Sequence, residues 1–169
     1  MSLPERIKKL HTCVYVKTKD SQSYKWAVLS ALHPSIKNPN RISHYTRYEN
    51  ELNFDGIDFP VIPKDIPQFE IVNDISINVY GWTDGSDKNL LLVHKTLTKK
   101  PTHIDLFLIA EIFHYAWIKD LPCLLKYFTV VPDRFLENNE VAQSENKLEI
   151  LDDVRDTIFQ RAKKLKTTE

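Results

Sequence analysis

Four stretches between residues 75 and 119 have the composition of β-strands, and this run constrains the fold of the chain more than any other feature. They are rich in aliphatic and aromatic side chains and are separated by polar or proline-containing segments. Asp84-Gly85 predicts a turn between the first two, and Pro101 interrupts the approach to the third. We predict strands at 75–82, 90–94, 104–109 and 115–119.

A helical segment precedes these strands. From Ser23 to Leu32, apolar and small side chains recur at three-to-four spacing, and Pro34 ends the pattern. Shorter helices are predicted at 65–72 and 121–128, each with a proline in its first turn, where proline is tolerated. Helices around a run of mainly antiparallel strands predict an α+β fold. Residues 1–12 read as a short basic lead-in.

The chain changes character after Pro132. Apolar residues recur there at helical spacing over a charged background, which predicts one long amphipathic helix packed on the domain or on a partner. We therefore divide the chain into a domain over 1–132 and a helical extension over 133–169. The apolar positions of the extension are Leu148, Leu151, Val154, Ile158, Ala162 and Leu165.

Composition excludes several classes of function. Lys and Arg total 23, as do Asp and Glu, so there is no overall basic field to hold nucleic acid. No run approaches the ~20 apolar residues of a membrane helix, and the N-terminus lacks the apolar core of a signal peptide. Cys13 and Cys123 are the only cysteines, which predicts no disulfide framework and an intracellular location, cytoplasmic or nuclear.

No metal or cofactor is expected. The histidines and cysteines lack the spacing of metal ligands, and a chain with three glycines has no glycine-rich phosphate loop.

Ser23 is a candidate nucleophile. It lies at the predicted start of a helix, directly after the polar residues 20–22. A helix N-terminus stabilises an ionised nucleophile, and backbone N–H groups of the preceding loop are placed to hold a developing oxyanion. The alternative interpretation is that Ser21 or Ser23 only caps the helix.

Two histidines compete for the role of general base. His114 lies at the start of the fourth predicted strand. His103 is followed two residues later by Asp105, which lies on the same face of a strand and would orient the imidazole. Spacing alone leaves both open, and either histidine has a purely structural interpretation.

The acid of a catalytic triad is harder to place. If a straight strand joined His114 to Asp120, at ~3.3 Å per residue the two would lie about 20 Å apart. Spacing therefore favours Asp120 as the N-cap of the helix at 121–128. Glu111 and Asp20 are nearer candidates for the acid.

Several segments together resemble proteins of Polinton or Maverick transposons of animals. In those proteins the first position of Ser-Tyr-Lys-Trp-Ala-Val-Leu-Ser-Ala-Leu-His-Pro (23–34) is normally Cys. The resemblance covers about residues 12–128 and continues at 48–61, 65–70, 75–80, 103–106 and 114–121.

The layout is more remotely similar to papain-fold deubiquitinases of the ovarian-tumour family and to herpesvirus tegument proteases. In the ovarian-tumour pattern an Asp lies three residues before the nucleophile, as Asp20 does here. That pattern also ends with His-Tyr at the start of the last strand, as in His114-Tyr115, which favours His114 over His103 as the base.

The resemblance implies a papain-like, cysteine-type isopeptidase that cleaves ubiquitin or a ubiquitin-like protein. It implies Ser23 at the nucleophile position, His114 as base and the Asp20 loop at the oxyanion. Ala116 stands where the ovarian-tumour pattern often has Asn or Asp, so the acid does not carry over from that motif. Asp120 is assigned instead, because the transposon proteins usually have Asn or Asp there.

Ser23 in place of Cys implies that the chain is inactive as written. An alcohol offers no low-pKa thiolate. An engineered Cys-to-Ser replacement is favoured over natural loss. The alternative function is a non-catalytic protein-interaction module of a mobile genetic element, which the apolar stripe of the extension supports.

Overall fold

The computed structural model of the chain describes residues 3–82 and 89–131. The predicted helices and central strands within these ranges are confirmed to within one residue at each end. In chain order the elements are α1 (Glu5–Leu10), β1 (Cys13–Val14), α2 (Ser23–Leu32), α3 (Ile66–Asn73), β2 (Ser76–Trp82), β3 (Asn89–His94), β4 (His103–Ile109), β5 (His114–Ile118), α4 (Leu121–Tyr127) and β6 (Thr129–Val131).

The six strands of the described residues form one sheet in the order β1-β5-β4-β2-β3-β6. Three neighbouring pairs are antiparallel: β1 with β5, β4 with β5, and β2 with β3. The pairs β2–β4 and β3–β6 are parallel. The expected α+β class is therefore confirmed, with a mixed sheet where we expected a mainly antiparallel one. The parallel β2–β4 pair arises because β3 folds back along the outer side of β2.

Helices cover both faces of the sheet. Side chains of α2 and α3 pack on one face in a cluster that includes Tyr24 and Phe69. Side chains from α1 and α4 pack on the other face, among them Ile7 and Leu124. Alternate residues of β4 point to opposite faces of the sheet. Because both faces are covered, β4 is apolar over most of its length.

The helix α1 was not expected, because residues 1–12 read as a basic lead-in. Ile7 is fully buried and Leu3 nearly so, both against the face that α4 also covers. A six-residue helix has little stability of its own. Its formation therefore depends on this apolar contact, which local composition does not reveal.

Some predictions fall outside the described residues. The turn at Asp84-Gly85 and the helical extension over 133–169 belong to this group. Among residues 3–82 and 89–131, none of the helices combines the length and the apolar character that a membrane span requires.

Gly81 marks a tight contact within the sheet. A Cβ at this position would lie 2.9 Å from Cγ2 of Val93 on the neighbouring strand β3. We expect Gly81→Ala to lower the free energy of unfolding by roughly 1–3 kcal/mol, as overpacked cores do. In a Val93→Ala background the added methyl group has room, so Gly81→Ala should destabilise the fold less. Chemical denaturation of the parent chain, the two single variants and the double variant measures this difference. An equal cost in both backgrounds would contradict this contact.

Candidate functional site

The helix α2 begins at Ser23, with Gln22 in the capping position and no side-chain cap. The interpretation that Ser21 or Ser23 caps this helix is therefore wrong. The first N–H groups of an α-helix have no acceptor within the helix, so those of Ser23, Tyr24 and Lys25 carry the partial positive charge of the N-terminus. Ser23 itself is 5% exposed.

The hydroxyl of Ser23 accepts a hydrogen bond from the backbone N–H of Tyr115, at 3.1 Å. Tyr115 directly follows His114, the first residue of β5. This bond joins positions 92 residues apart and sets the Ser23 hydroxyl against the backbone of β5, one residue after His114. The oxygen at position 23 thus lies between the N-terminus of α2 and a donor from β5.

His114 follows a tight turn. The N–H of Phe113 donates to the carbonyl of Ala110 at 3.3 Å, and Phe113 has a φ of 51°. A left-handed backbone is uncommon for a residue with a bulky side chain. The turn places His114 opposite Ile109, at the end of the β4–β5 pair.

The imidazole of His114 is enclosed, with 8% of the residue exposed. The ring of Tyr15 stacks on it with a centroid distance of 4.1 Å and an interplanar angle of 14°. Its Nε2 atom is buried and has no hydrogen-bond partner among the described residues. A direct bond between this nitrogen and the Ser23 hydroxyl is thus not formed in this state.

Burial lowers the pKa of His114 from its ordinary 6.5 to about 4. A hydrogen bond with the backbone of Val16 and the charge of Asp20 act in the opposite direction, and the charge of the amino terminus acts with burial. The ring is therefore neutral near pH 7 and has a nitrogen free to accept a proton.

Asp20 organises the loop before α2. Its Oδ1 accepts hydrogen bonds from the Thr18 hydroxyl at 2.6 Å and the Gln22 N–H at 2.9 Å, and its Oδ2 accepts one from the Trp26 indole at 3.2 Å. Partial burial would raise the pKa of the Asp20 carboxyl, but these hydrogen bonds together hold it below its ordinary value. Asp20 is thus an anion whose hydrogen bonds hold the loop that leads into Ser23.

Asp20 does not itself offer an oxyanion donor. Its N–H donates to the Thr18 hydroxyl at 3.2 Å, and its carboxylate only accepts. Donors at the candidate oxyanion position would instead be the N–H groups of the first turn of α2. The contribution of Asp20 is to hold that turn in place and to favour a protonated His114.

Asp120 is the N-cap of α4, as its spacing predicts. Its Oδ1 accepts from the Cys123 N–H at 3.1 Å and so caps α4. Asp120 is exposed and lies two residues beyond the end of β5, whereas His114 begins that strand. The structure does not bring it to His114. Glu111, the other candidate, is exposed in the turn between β4 and β5, and no described contact joins it to the imidazole.

His103 and Asp105 interact as the sequence predicts, but far from Ser23. His103 Nε2 lies 3.1 Å from Asp105 Oδ1, and its Nδ1 lies 2.7 Å from the hydroxyl of Ser76. The register pairs Ile109, not His103, with His114. Six residues of strand at ~3.3 Å each put His103 about 20 Å along the sheet. This pair therefore does not serve the candidate nucleophile.

A cleft of about 600 Å³ lies beside this site. It is lined by Lys17, Thr18, Lys19, Asp20 and Ile42. The N–H of Lys17 donates to the carbonyl of Asn40 at 2.9 Å, which holds Lys17 near the segment that contains Ile42. Asp20 thus belongs both to the cleft and to the loop that leads into α2.

Two contributors to the site were missed at the level of sequence. Neither Tyr15 nor Val16 was predicted to take part, because their contacts with His114 are contacts between segments distant in the sequence. Within the described residues, no group of three His, Cys, Asp or Glu side chains is arranged to hold a metal ion.

Comparison with known proteins gives no relative: no protein-family model, curated protein or solved structure matches this chain.

The buried, neutral His114 predicts that stability depends on pH. Unfolding returns its pKa from about 4 to 6.5, so the unfolded chain binds a proton first as the pH falls. Stability should fall between pH 6.5 and 4, by up to ~3 kcal/mol in total. Urea unfolding at several pH values measures this loss.

A matched pair of variants isolates His114. His114→Gln should flatten the pH dependence in this window, whereas His11→Gln, at an exposed position, should retain it. An unchanged slope in His114→Gln would show that the imidazole is not buried as described.

Proposed function

We propose that this chain has a papain-like fold and is a cysteine-type isopeptidase acting on ubiquitin or a ubiquitin-like protein, with Ser23 in the place of the nucleophilic cysteine. The observation that carries the proposal is the hydrogen bond from the Tyr115 N–H to the Ser23 hydroxyl. It joins position 23, at a helix N-terminus, to the backbone of the residue after His114, and this supports the arrangement that the resemblance to transposon proteins and deubiquitinases implies.

Three features support nucleophilic chemistry at position 23. The helix N-terminus and the Tyr115 N–H both favour a negative charge there. His114 is neutral and has a buried nitrogen for which the described residues offer no hydrogen-bond partner. The first turn of α2 has N–H groups left over to hold an oxyanion.

The reaction follows from these roles when position 23 carries a thiol. His114 takes the thiol proton, and the thiolate attacks the carbonyl carbon of the C-terminal glycine of the modifier. The tetrahedral intermediate collapses, the C–N bond breaks, and His114 returns the proton to the leaving lysine amine. Water, deprotonated by His114, then cleaves the thioester and releases the carboxylate and the thiol.

The small exposed area of position 23 supports a substrate of this kind. At 5% exposure, only a slender chain can bring a carbonyl to the side-chain oxygen. A modifier that ends in glycine has no side chain at the reacting residue. The cleft beside Asp20 offers room for the residues that precede the glycine.

As written, the chain is proposed to lack this activity. The hydroxyl of serine is much less acidic than a thiol, and a His114 of low pKa is a weak base for it. A Cys-to-Ser replacement exchanges one sulfur atom for oxygen and leaves the rest of the side chain unchanged.

We expect Ser23→Cys to form a covalent adduct with ubiquitin that carries a C-terminal electrophile, detected by intact-mass spectrometry. The parent chain already contains Cys13 and Cys123 and should form no adduct, which controls for reaction of the probe with these two thiols. Burial raises the pKa of Cys13 to about 12, which makes it unreactive. Ser21→Cys, in the same loop, controls for a thiol near but not at the site.

Second substitutions in the Ser23→Cys chain test the base. His114→Ala should slow adduct formation by about 100-fold or more, the scale of a lost general base. His103→Ala should leave the rate unchanged. Equal labelling of Ser23→Cys and Ser21→Cys, or no labelling by probes built on ubiquitin or its relatives, would contradict the proposal and leave the interaction-module alternative.

A further inference from the structure

The segment Cys13–Val16 lies against the residue proposed as base. Its first part, β1, pairs with the far end of β5, Cys13 with Ile118 and Val14 with Trp117. The chain then leaves the sheet, and Tyr15 comes to lie on the imidazole of His114. Tyr15, which follows the edge strand β1, thus contacts the first residue of β5, whereas β1 itself pairs with the last residues of β5.

The stack of Tyr15 on His114 restricts both the solvent access and the orientation of the imidazole ring. Two nearly parallel rings with centroids 4.1 Å apart leave no space for water between them. The stack therefore removes solvent from one face of His114 and limits rotation of the imidazole plane. The hydrogen bond with the backbone of Val16 restrains the ring from the same segment.

The carboxylates near the site have other tasks. Asp120 caps α4, and Glu111 is exposed in a turn. Asp20 accepts three hydrogen bonds from its own loop and from Trp26. Among the described residues, the usual orienting acid of a triad is therefore not hydrogen-bonded to His114.

We infer that Tyr15 is the positioning residue of this site, and that its ring, together with the backbone of Val16, orients His114 in place of a carboxylate. This role of Tyr15 rests on the proposed function, in which His114 is the base. The quantity that reports on this role is the pKa of the His114 imidazole, which can be measured whether or not the chain has any activity.

Removing the stack should change the titration of His114. The groups that act on the ring are the Val16 backbone, the Asp20 carboxylate and the charge of the amino terminus, and replacing the Tyr15 side chain removes none of these groups. Loss of the aromatic cover exposes the imidazole to water, which favours its charged form.

The experiment is an NMR titration of the histidine rings in the chain as it exists, with the His114 signal assigned by its absence in His114→Gln. Tyr15→Ala should raise the pKa of His114 from about 4 toward 6.5. Tyr15→Phe, which keeps the ring, should leave it unchanged. Tyr15→Leu keeps apolar volume without a planar ring and should behave as Tyr15→Ala, which covers the case that the alanine variant does not fold.

The chain offers a matched control. Tyr48 stacks on His33 with a centroid distance of 3.6 Å and an interplanar angle of 6°. Tyr48→Ala removes a stack of the same kind at another histidine and should leave the titration of His114 unchanged. A shift of His114 in Tyr48→Ala equal to that in Tyr15→Ala would mean a general loosening of the fold and would overturn the inference.

Kinetics in the Ser23→Cys chain provide the second readout. Tyr15→Ala should slow labelling by the ubiquitin electrophile about tenfold, and Tyr15→Phe should restore the rate. An unchanged pKa of His114 in both Tyr15→Ala and Tyr15→Leu would overturn the inference. A shifted pKa without any labelling of Ser23→Cys would overturn the proposed function and leave the positioning role standing.

Discussion

The hydrogen bond between the Tyr115 N–H and the Ser23 hydroxyl holds the two halves of the candidate site together. It connects the first turn of α2 to the start of β5, and Tyr115 is itself fixed on several sides. Its hydroxyl donates to the carbonyl of Val61 at 2.8 Å, and its ring meets that of Tyr24 edge to face with centroids 5.0 Å apart. Because Tyr24 follows Ser23 in the chain, the same pair of elements is joined by both a polar and an aromatic contact.

The elements of the fold were largely predictable from local pattern. The helix α2 has apolar residues at helical spacing and a proline soon after its end, and its predicted bounds are those observed. Asp120 before the proline-containing α4 was a recognisable cap. The helix α1 was not, because a six-residue basic segment is helical only when Ile7 can pack on the sheet.

The candidate site was predictable only in part, for a physical reason. Ser23 and His114 stand at element ends, where local pattern indicates their positions. The contacts of Tyr15 with His114 depend on how a short edge strand leaves the sheet. The distance of His103 from Ser23 depends on the register of β4 against β5. Neither strand register nor a stack between distant segments is encoded in a short stretch of sequence.

The pKa of a thiol at position 23 tests the central claim that this position and His114 form one chemical unit. It is measured from the pH dependence of thiolate absorbance in Ser23→Cys, relative to the parent chain. A thiolate at position 23 and a protonated His114 stabilise each other, so the two groups titrate as a coupled pair although His114 is neutral beside the serine hydroxyl. The account therefore predicts a thiol pKa at least one unit below the ordinary value of about 8.5, and a return to that value or above in Ser23→Cys with His114→Ala. A thiol pKa of about 8.5 or higher that does not respond to His114→Ala would contradict it.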